Sequence, residues 1–294
     1  MLIGIIGGTG LGDALARQPR TKRLDVDTPF GPPSGPLLRG ELEGVEVVFL
    51  NRHGTGHTLS PTVVPYRANI FALKATGVTH VIASGAVGSL RDEISPADLV
   101  ICDQVIDRTS RRDKTFFDRG LAAHVEMADP FCPRLRRILL DSASDVTARV
   151  HDGATYVVME GPQFSTRAES HMHRQLGGDL IGMTCMPEAK LAREAEMCYA
   201  LVALATDYDC WRPHGARDKR ALLEEIIGHL KQATDHAIAL IRAAVRRMGA
   251  HPPAACPCQS ALELALWTDQ AHVSPVTVTR LKPIIGRYFA EPTG

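Results

Sequence analysis

An α/β domain built around a central sheet is predicted by two observations: short apolar runs recur along the chain, and helix-like segments lie between several of them. The runs are LIGII (2–6), VEVVFL (45–50), THVIAS (79–84), DLVICD (98–103), TYVVM (155–159), DLIGM (179–183) and YALVALA (199–205). Their length and turn-rich flanks mark them as strands. Residues 65–77 open on Pro65 and close on Gly77, a start and stop pair for a helix. Residues 187–197 again open on a proline followed by an acid. Residues 217–248 carry Leu222, Leu223, Ile226, Ile227, Leu230, Ala237, Ile238 and Ile241 near a 3.6-residue period, the pattern of one long amphipathic helix. Strands alternating with helices make an α/β layer architecture.

The 294 residues fit one large domain. Two proline-rich stretches, 30–36 and 251–258, read as surface connections, and the second leads to a helix-like tail at 259–268. The expected organisation is therefore a domain over 1–250 with an extension over 251–294 packed on it. No internal repeat is evident.

With 33 basic and 33 acidic residues the formal charge is zero, which argues against nucleic-acid or membrane-surface binding through bulk electrostatics. No apolar run approaches the roughly 20 residues of a membrane span. The opening MLIGIIGGTG lacks a basic stretch and is broken early by glycines, so it reads as a strand and turn, with a cytoplasmic location expected. Of the seven cysteines, Cys102, Cys132, Cys185, Cys198 and Cys210 read as small buried apolar residues. Cys256 and Cys258 form a Cys-Pro-Cys pair without the second ligand pair of a structural zinc site, and a disulfide at or from this pair stays open.

Three strand exits carry ligand-loop chemistry. IGIIGGTGLG misses the dinucleotide register, because the third glycine position is Asp13, and it has no Walker lysine. A loop that holds one anion on free amides and the Thr9 hydroxyl remains. NRHGTGHTLSP (51–61) places Arg52 and His53 after a strand, where a guanidinium fork suits phosphate oxygens. ASGAVGSL (83–90) brings small residues and close-approach backbone to the same edge. Together they point to one anion pocket in the crevice beyond the strand ends. The last strand exits in ATDYDCW, with Asp207 and Asp209 two residues apart; strand alternation aims both at one face. No nucleophile–base pair stands out, and no His, Asp or Glu cluster has metal spacing.

The order of IGIIGGTGLGD, DTPFGPPS, NRHGTGHTLSP, YRANIFALK, GSLRDEISPADLVICDQVIDRT, MADPFCP, EGPQFSTRAES, GMTCMPEAKLAREAEMCYA and ATDYDCW resembles the methylthioadenosine phosphorylase branch of the trimeric purine nucleoside phosphorylase family. The resemblance spans about residues 3–245. It implies a single α/β domain with a mixed central sheet flanked by helices, the nucleoside phosphorylase fold, and phosphorolysis of an N-glycosidic bond. Inorganic phosphate is then a co-substrate, with no metal or organic cofactor, and the assembly a homotrimer or a dimer of trimers.

Matched motif by motif, the resemblance implies a phosphate site of Thr9, Arg52, His53, the Gly85–Ala86 backbone and Thr184. Some relatives place Thr at the Gly85 position, a hydroxyl this chain lacks. Met183 and Phe164 would meet the sugar, and Ser165, Asp207 and Asp209 the purine. Asp207, with a pKa raised by burial, would protonate or hydrogen-bond N7, with Asp209 in support. His124 would reach the 5′-substituent of a neighbouring subunit's ligand, and Leu223, Ile226 and Ile227 are candidates for an apolar wall around a methylthio group. Members acting on 6-oxopurines carry Glu in a GPxFET-like segment and Asn at the Asp207 position. Ser165 and Asp207 here depart from that pattern toward a 6-aminopurine, and Asp209 would contact the exocyclic 6-position, where an ionised carboxylate only accepts and so suits a 6-amino donor. A broader purine nucleoside or 5′-methylthioinosine phosphorylase is the alternative reading, and a non-catalytic nucleoside-binding protein is a third.

Overall fold

The computed structural model describes residues 1–7, 21–212 and 218–289. Eleven strands form one mixed sheet: β1 Ile3–Gly7, β2 Lys22–Leu24, β3 Leu37–Leu42, β4 Val45–Asn51, β5 His80–Ser89, β6 Leu99–Ile101, β7 Gln104–Asp107, β8 Val150–Asp152, β9 Thr155–Val158, β10 Leu180–Gly182 and β11 Cys198–Asp207. All seven strands expected from the sequence are among them. The four others are short or lie toward the edges of the sheet, where apolar content is too low to mark them.

β5 organises the sheet. Its first half pairs with β1 in parallel, from Ile3 opposite His80 to Ile6 opposite Ala83. Its far end pairs with β10 in antiparallel sense at Gly88 and Ser89. Along the other side runs β11, parallel from Cys198 opposite His80 to Asp207 opposite Gly88. Between the end of β1 and the start of β10, among the described residues, Ser84–Val87 pair only with β11. Within this largely buried strand Gly85 and Gly88 are half-buried and Ala86 is exposed. The sheet therefore forks at Ser84–Val87, and a fork beyond parallel strand ends is where open α/β sheets bind ligands.

Seven α-helices are described: α1 Tyr66–Ala75, α2 Pro133–Asp141, α3 Arg167–Gln175, α4 Cys185–Glu194, α5 Lys219–Ala250, α6 Pro275–Arg280 and α7 Lys282–Ile285. α1 and α5 match the expected helices to within two residues. The α2 sequence PRLRRILLD buries only Leu135 and Leu139, so its apolar stripe is too thin to read from the chain alone. α3 starts with a capping box, the Thr166 hydroxyl accepting from the Glu169 amide and the Glu169 carboxylate accepting from the Thr166 amide.

Two apolar clusters cover the two faces of the sheet. One gathers α1, α4 and the tail residues Leu262, Ala265, Leu281, Ile284 and Ile285, and the other gathers α2 and α5. The expected helix at 259–268 does not form. A 3-10 turn at Pro257–Ser260 is followed by turns, and Leu266 bridges to Ala123 in antiparallel fashion. Leu262 and Ala265 are buried in the core and Leu266 packs against it, while Leu264 is 92% exposed. The Cys-Pro-Cys pair does not stand alone either: Cys132 and Cys198 meet it in space, which corrects the reading that it lacks partners.

Candidate active site

The fork collects most of the expected residues. Arg52 follows β4 and is buried at 1% exposure. Its Nε and Nη2 donate to the two carboxylate oxygens of Glu188 at 2.5 and 3.0 Å, and its Nη1 donates to the Ser84 carbonyl at 2.8 Å. Three of the five guanidinium donors are thus committed, which fixes the fork's plane and leaves two for a ligand. Glu188, fully buried in the first turn of α4, also accepts from the Tyr199 hydroxyl at 3.0 Å. This counter-ion was missed from sequence, although an acid in a helix beginning MPEAK was in plain view.

His53 sits beside Arg52 with its Nδ1 2.8 Å from the Leu59 carbonyl. A carbonyl only accepts, so Nδ1 carries the proton and Nε2 presents a lone pair. Burial is the main cause that lowers the His53 pKa to about 4, so the ring is neutral at pH 7. His57 stacks on it at 4.2 Å.

Gly85 and Thr184 face each other across the fork. A Cβ on Gly85 would stand 3.2 Å from the Thr184 hydroxyl. Thr184 precedes α4 yet makes no side-chain capping bond. Met183 follows β10, and its sulfur lies 2.5 Å from where a Cβ on Gly161 would be, so the EGP turn closes against it. Arg112 ties that turn down: it donates to the carbonyls of Met183 and Met186, each at 2.6 Å, and to the Glu160 carboxylate at 2.9 Å. Burial works against the Glu160 charge, but the amides of Ser110 and Arg111 and the Arg112 guanidinium outweigh it and hold that carboxyl down at about 2.

The two acids lie at the other end of the fork, and strand alternation does not place them. The register of β11 against β5 slips between Ala205 and Asp207, a bulge at Thr206, and the strand ends at Asp207. Asp209 follows in a turn with φ +49°, a conformation uncommon for a residue with a side chain. The turn is closed by the Asp209 amide donating to Asp207 Oδ1 at 2.7 Å, while the Thr206 hydroxyl donates to Oδ2 at 2.7 Å. Both acids then crowd one point: a Cβ on Gly88 would lie 3.2 Å from Asp209 Cβ and 3.3 Å from Asp207 Oδ1.

Burial, with the neighbouring Asp207 charge in support, raises the Asp209 carboxyl above the usual range, opposed by the Ser170 hydroxyl. Ser170 and His173 are the buried residues of α3, and both bear on Asp209. They too escaped the sequence reading, whose only available signal was their three-residue spacing after Thr166. Ser165 joins the acid end through its carbonyl, which accepts from the Cys210 thiol at 3.3 Å.

Other expected residues stand apart in a single chain. Phe164 is 84% exposed. His124 is exposed, its ring edge-on to Trp267 of the tail at 5.1 Å, and its amide donates to Ala265. Leu223 and Ile227 project from α5 largely into solvent, whereas Ile226 is half-buried. Thr9 lies outside the described residues. A separate cleft of about 280 Å³, lined by Phe30, Thr62, Tyr66, Arg67 and Arg112 among others, contains none of the expected site residues.

From Ser84 to Gly88 the strand runs about 13 Å. Along it lie an arginine, a neutral histidine and a hydroxyl at one end and a carboxyl pair at the other, a layout that suits an anion next to a basic heterocycle. That is the chemistry of a nucleoside phosphorylase built on this fold. The sequence matches the phosphorylase superfamily over residues 2–246, and the chain belongs to that family. It is 50% identical to the S-methyl-5′-thioadenosine phosphorylase of Geobacter sulfurreducens, covering 98% of this chain and 99% of that one. Its fold is similar to the crystal structure of a methylthioadenosine phosphorylase from an antarctic soil metagenomic library, with a TM-score of 0.88, 46% identity, and 96% and 98% of the two chains covered. The methylthioadenosine phosphorylase of Schistosoma mansoni, in complex with tubercidin, is similar at a TM-score of 0.78 and 36% identity, covering 85% and 92%.

Proposed function

We propose that this chain catalyses phosphorolysis of 5′-methylthioadenosine, giving adenine and 5-methylthioribose 1-phosphate. The reading rests on the fork in β5, which brackets a ligand between Arg52, His53 and Thr184 at one end and Asp207 and Asp209 at the other. Full-length likeness to proteins of that name supports the choice of substrate. Phosphate lies on Thr9, Arg52, His53, the Gly85–Ala86 backbone and Thr184. Because His53 Nε2 is an acceptor, it takes a hydrogen bond from the P–OH of monohydrogen phosphate, while Arg52 meets the charged oxygens.

Met183 and Phe164 pack on the sugar, and Ser165, Asp207 and Asp209 face the purine. As the glycosidic bond lengthens, positive charge grows on the ribosyl group and negative charge on the base. Phosphate stabilises the first and supplies the nucleophile from a fixed position. The acid pair answers the second at N7, and its unprotonated oxygens accept from the 6-amino group. Inorganic phosphate is the only co-substrate this scheme needs, with no metal or organic cofactor.

The exposed Phe164, His124, Leu223 and Ile227 are accounted for by a homotrimer, in which His124 completes a neighbour's site around the 5′-substituent, and the enzyme works in the cytoplasm. Initial rates of base release from methylthioadenosine, adenosine, inosine and 5′-methylthioinosine test the assignment. Methylthioadenosine should be fastest. Faster turnover of the 6-oxo substrates would overturn the base-reading role of the two acids.

A further inference from the structure

Four cysteines from three distant parts of the chain converge where β11 begins. Cys132 precedes α2, Cys198 opens β11, and Cys256 and Cys258 flank Pro257 just after α5. All four are buried, at 1%, 1%, 6% and 4% exposure. Their sulfur atoms lie within 4.8 Å of one another, with Cys132 and Cys256 3.6 Å apart. A tetrahedral zinc–thiolate site, with Zn–S near 2.3 Å, sets its sulfurs about 3.8 Å apart.

The surroundings suit thiolates. The Leu135 amide donates to the Cys132 sulfur at 3.4 Å, and the Gln259 amide donates to that of Cys256. Arg134 donates to the carbonyls of Ala254 and Ala255, placing a cation beside the Cys-Pro-Cys turn.

We propose that Cys132, Cys198, Cys256 and Cys258 form a structural tetrathiolate site for a zinc-type divalent cation. Binding replaces four S–H bonds with four metal–sulfur bonds and releases four protons, with no change in oxidation state. The cation joins the extension after α5 to the starts of α2 and β11. Along β11 four steps, about 13 Å, separate Cys198 from Val202 opposite the near end of the fork, and nine steps, about 30 Å, separate it from Asp207, so the site holds the tail rather than taking part in the reaction.

The test is metal content of the untagged protein, purified in reductant and dialysed against zinc, by inductively coupled plasma mass spectrometry. One zinc per chain is expected, and cobalt(II) in its place should give the intense visible bands of tetrahedral thiolate coordination. Removing zinc with a chelator should lower Tm by roughly 5–15 °C. Cys258→Ser should lose the metal, while Cys210→Ser, outside the cluster, should keep it. Should Cys258→Ser fail to fold, the wild-type metal count and cobalt spectrum still decide. Four free thiols with no zinc retained, or an intact mass four hydrogens light from two disulfides, would overturn the proposal.

Discussion

Asp207 and Asp209 act as a unit because a turn, not a strand face, joins them. The Asp209 amide on Asp207 Oδ1 fixes one carboxyl against the other, and Gly88 leaves the room both need. The sequence makes the pair visible but misplaces the cause: a two-residue spacing looks like alternation, whereas a bulge and a left-handed residue do the work. Neither can be read from ATDYDCW alone, since each depends on the register against β5. Asp207→Asn keeps the shape and turns an acceptor oxygen into an amide donor. It should lower kcat/KM on methylthioadenosine by roughly 10²–10⁴-fold while costing far less on 5′-methylthioinosine. Equal losses on the two substrates would remove the base-reading role.

Among the elements, β5 and α4 frame the proposed anion site. Arg52 follows β4, α4 delivers its counter-ion Glu188, and the Ser84 carbonyl of β5 takes a third donor, so the guanidinium is held by two other segments. Glu188→Gln leaves that buried cation without its charge partner. The expected loss is about 3–5 kcal/mol of stability in urea unfolding, and an unchanged midpoint would show that Arg52 does not depend on Glu188.

The loop after β7 and the turn after β9 meet at Arg112 and Glu160. The Glu160 pKa falls from 4.5 to about 2 on folding, so its contribution is fully present above pH 4.5 and is lost as pH falls through 2. Stability of the wild type should therefore exceed that of Glu160→Gln at pH 7 and approach it near pH 2; a gap independent of pH would mean that packing, not charge, carries the contact. The strand positions were legible because apolar runs mark them. The contact between these two loops was not, because Arg112 and Glu160 are 48 residues apart.

At the scale of the molecule, the two proposals fall at different places on the sheet: ligand chemistry where β5 forks, and attachment of the tail where four cysteines gather. The tail misled the sequence reading. QSALELALWT has helical composition, yet residues 257–289 fold as short turns and helices whose Leu262, Leu281, Ile284 and Ile285 fill one face of the core. Long-range packing overrode local propensity there, as it does wherever a segment is too short to nucleate a helix alone. The fold class was legible, and Arg52, His53 and Gly85 stood out because loops at strand ends carry their chemistry locally, whereas Thr184 came only with the family resemblance. Glu188, Ser170 and His173 were not legible, since each acts through a partner that only the fold supplies.

Phosphorus NMR of the reaction with methylthioadenosine and inorganic phosphate tests the central claim most directly. Phosphorolysis predicts loss of the inorganic phosphate signal in step with adenine release and the appearance of a sugar 1-phosphate resonance. Adenine release with the phosphate signal unchanged would mean hydrolysis, and would contradict the assignment of the fork as a phosphate site.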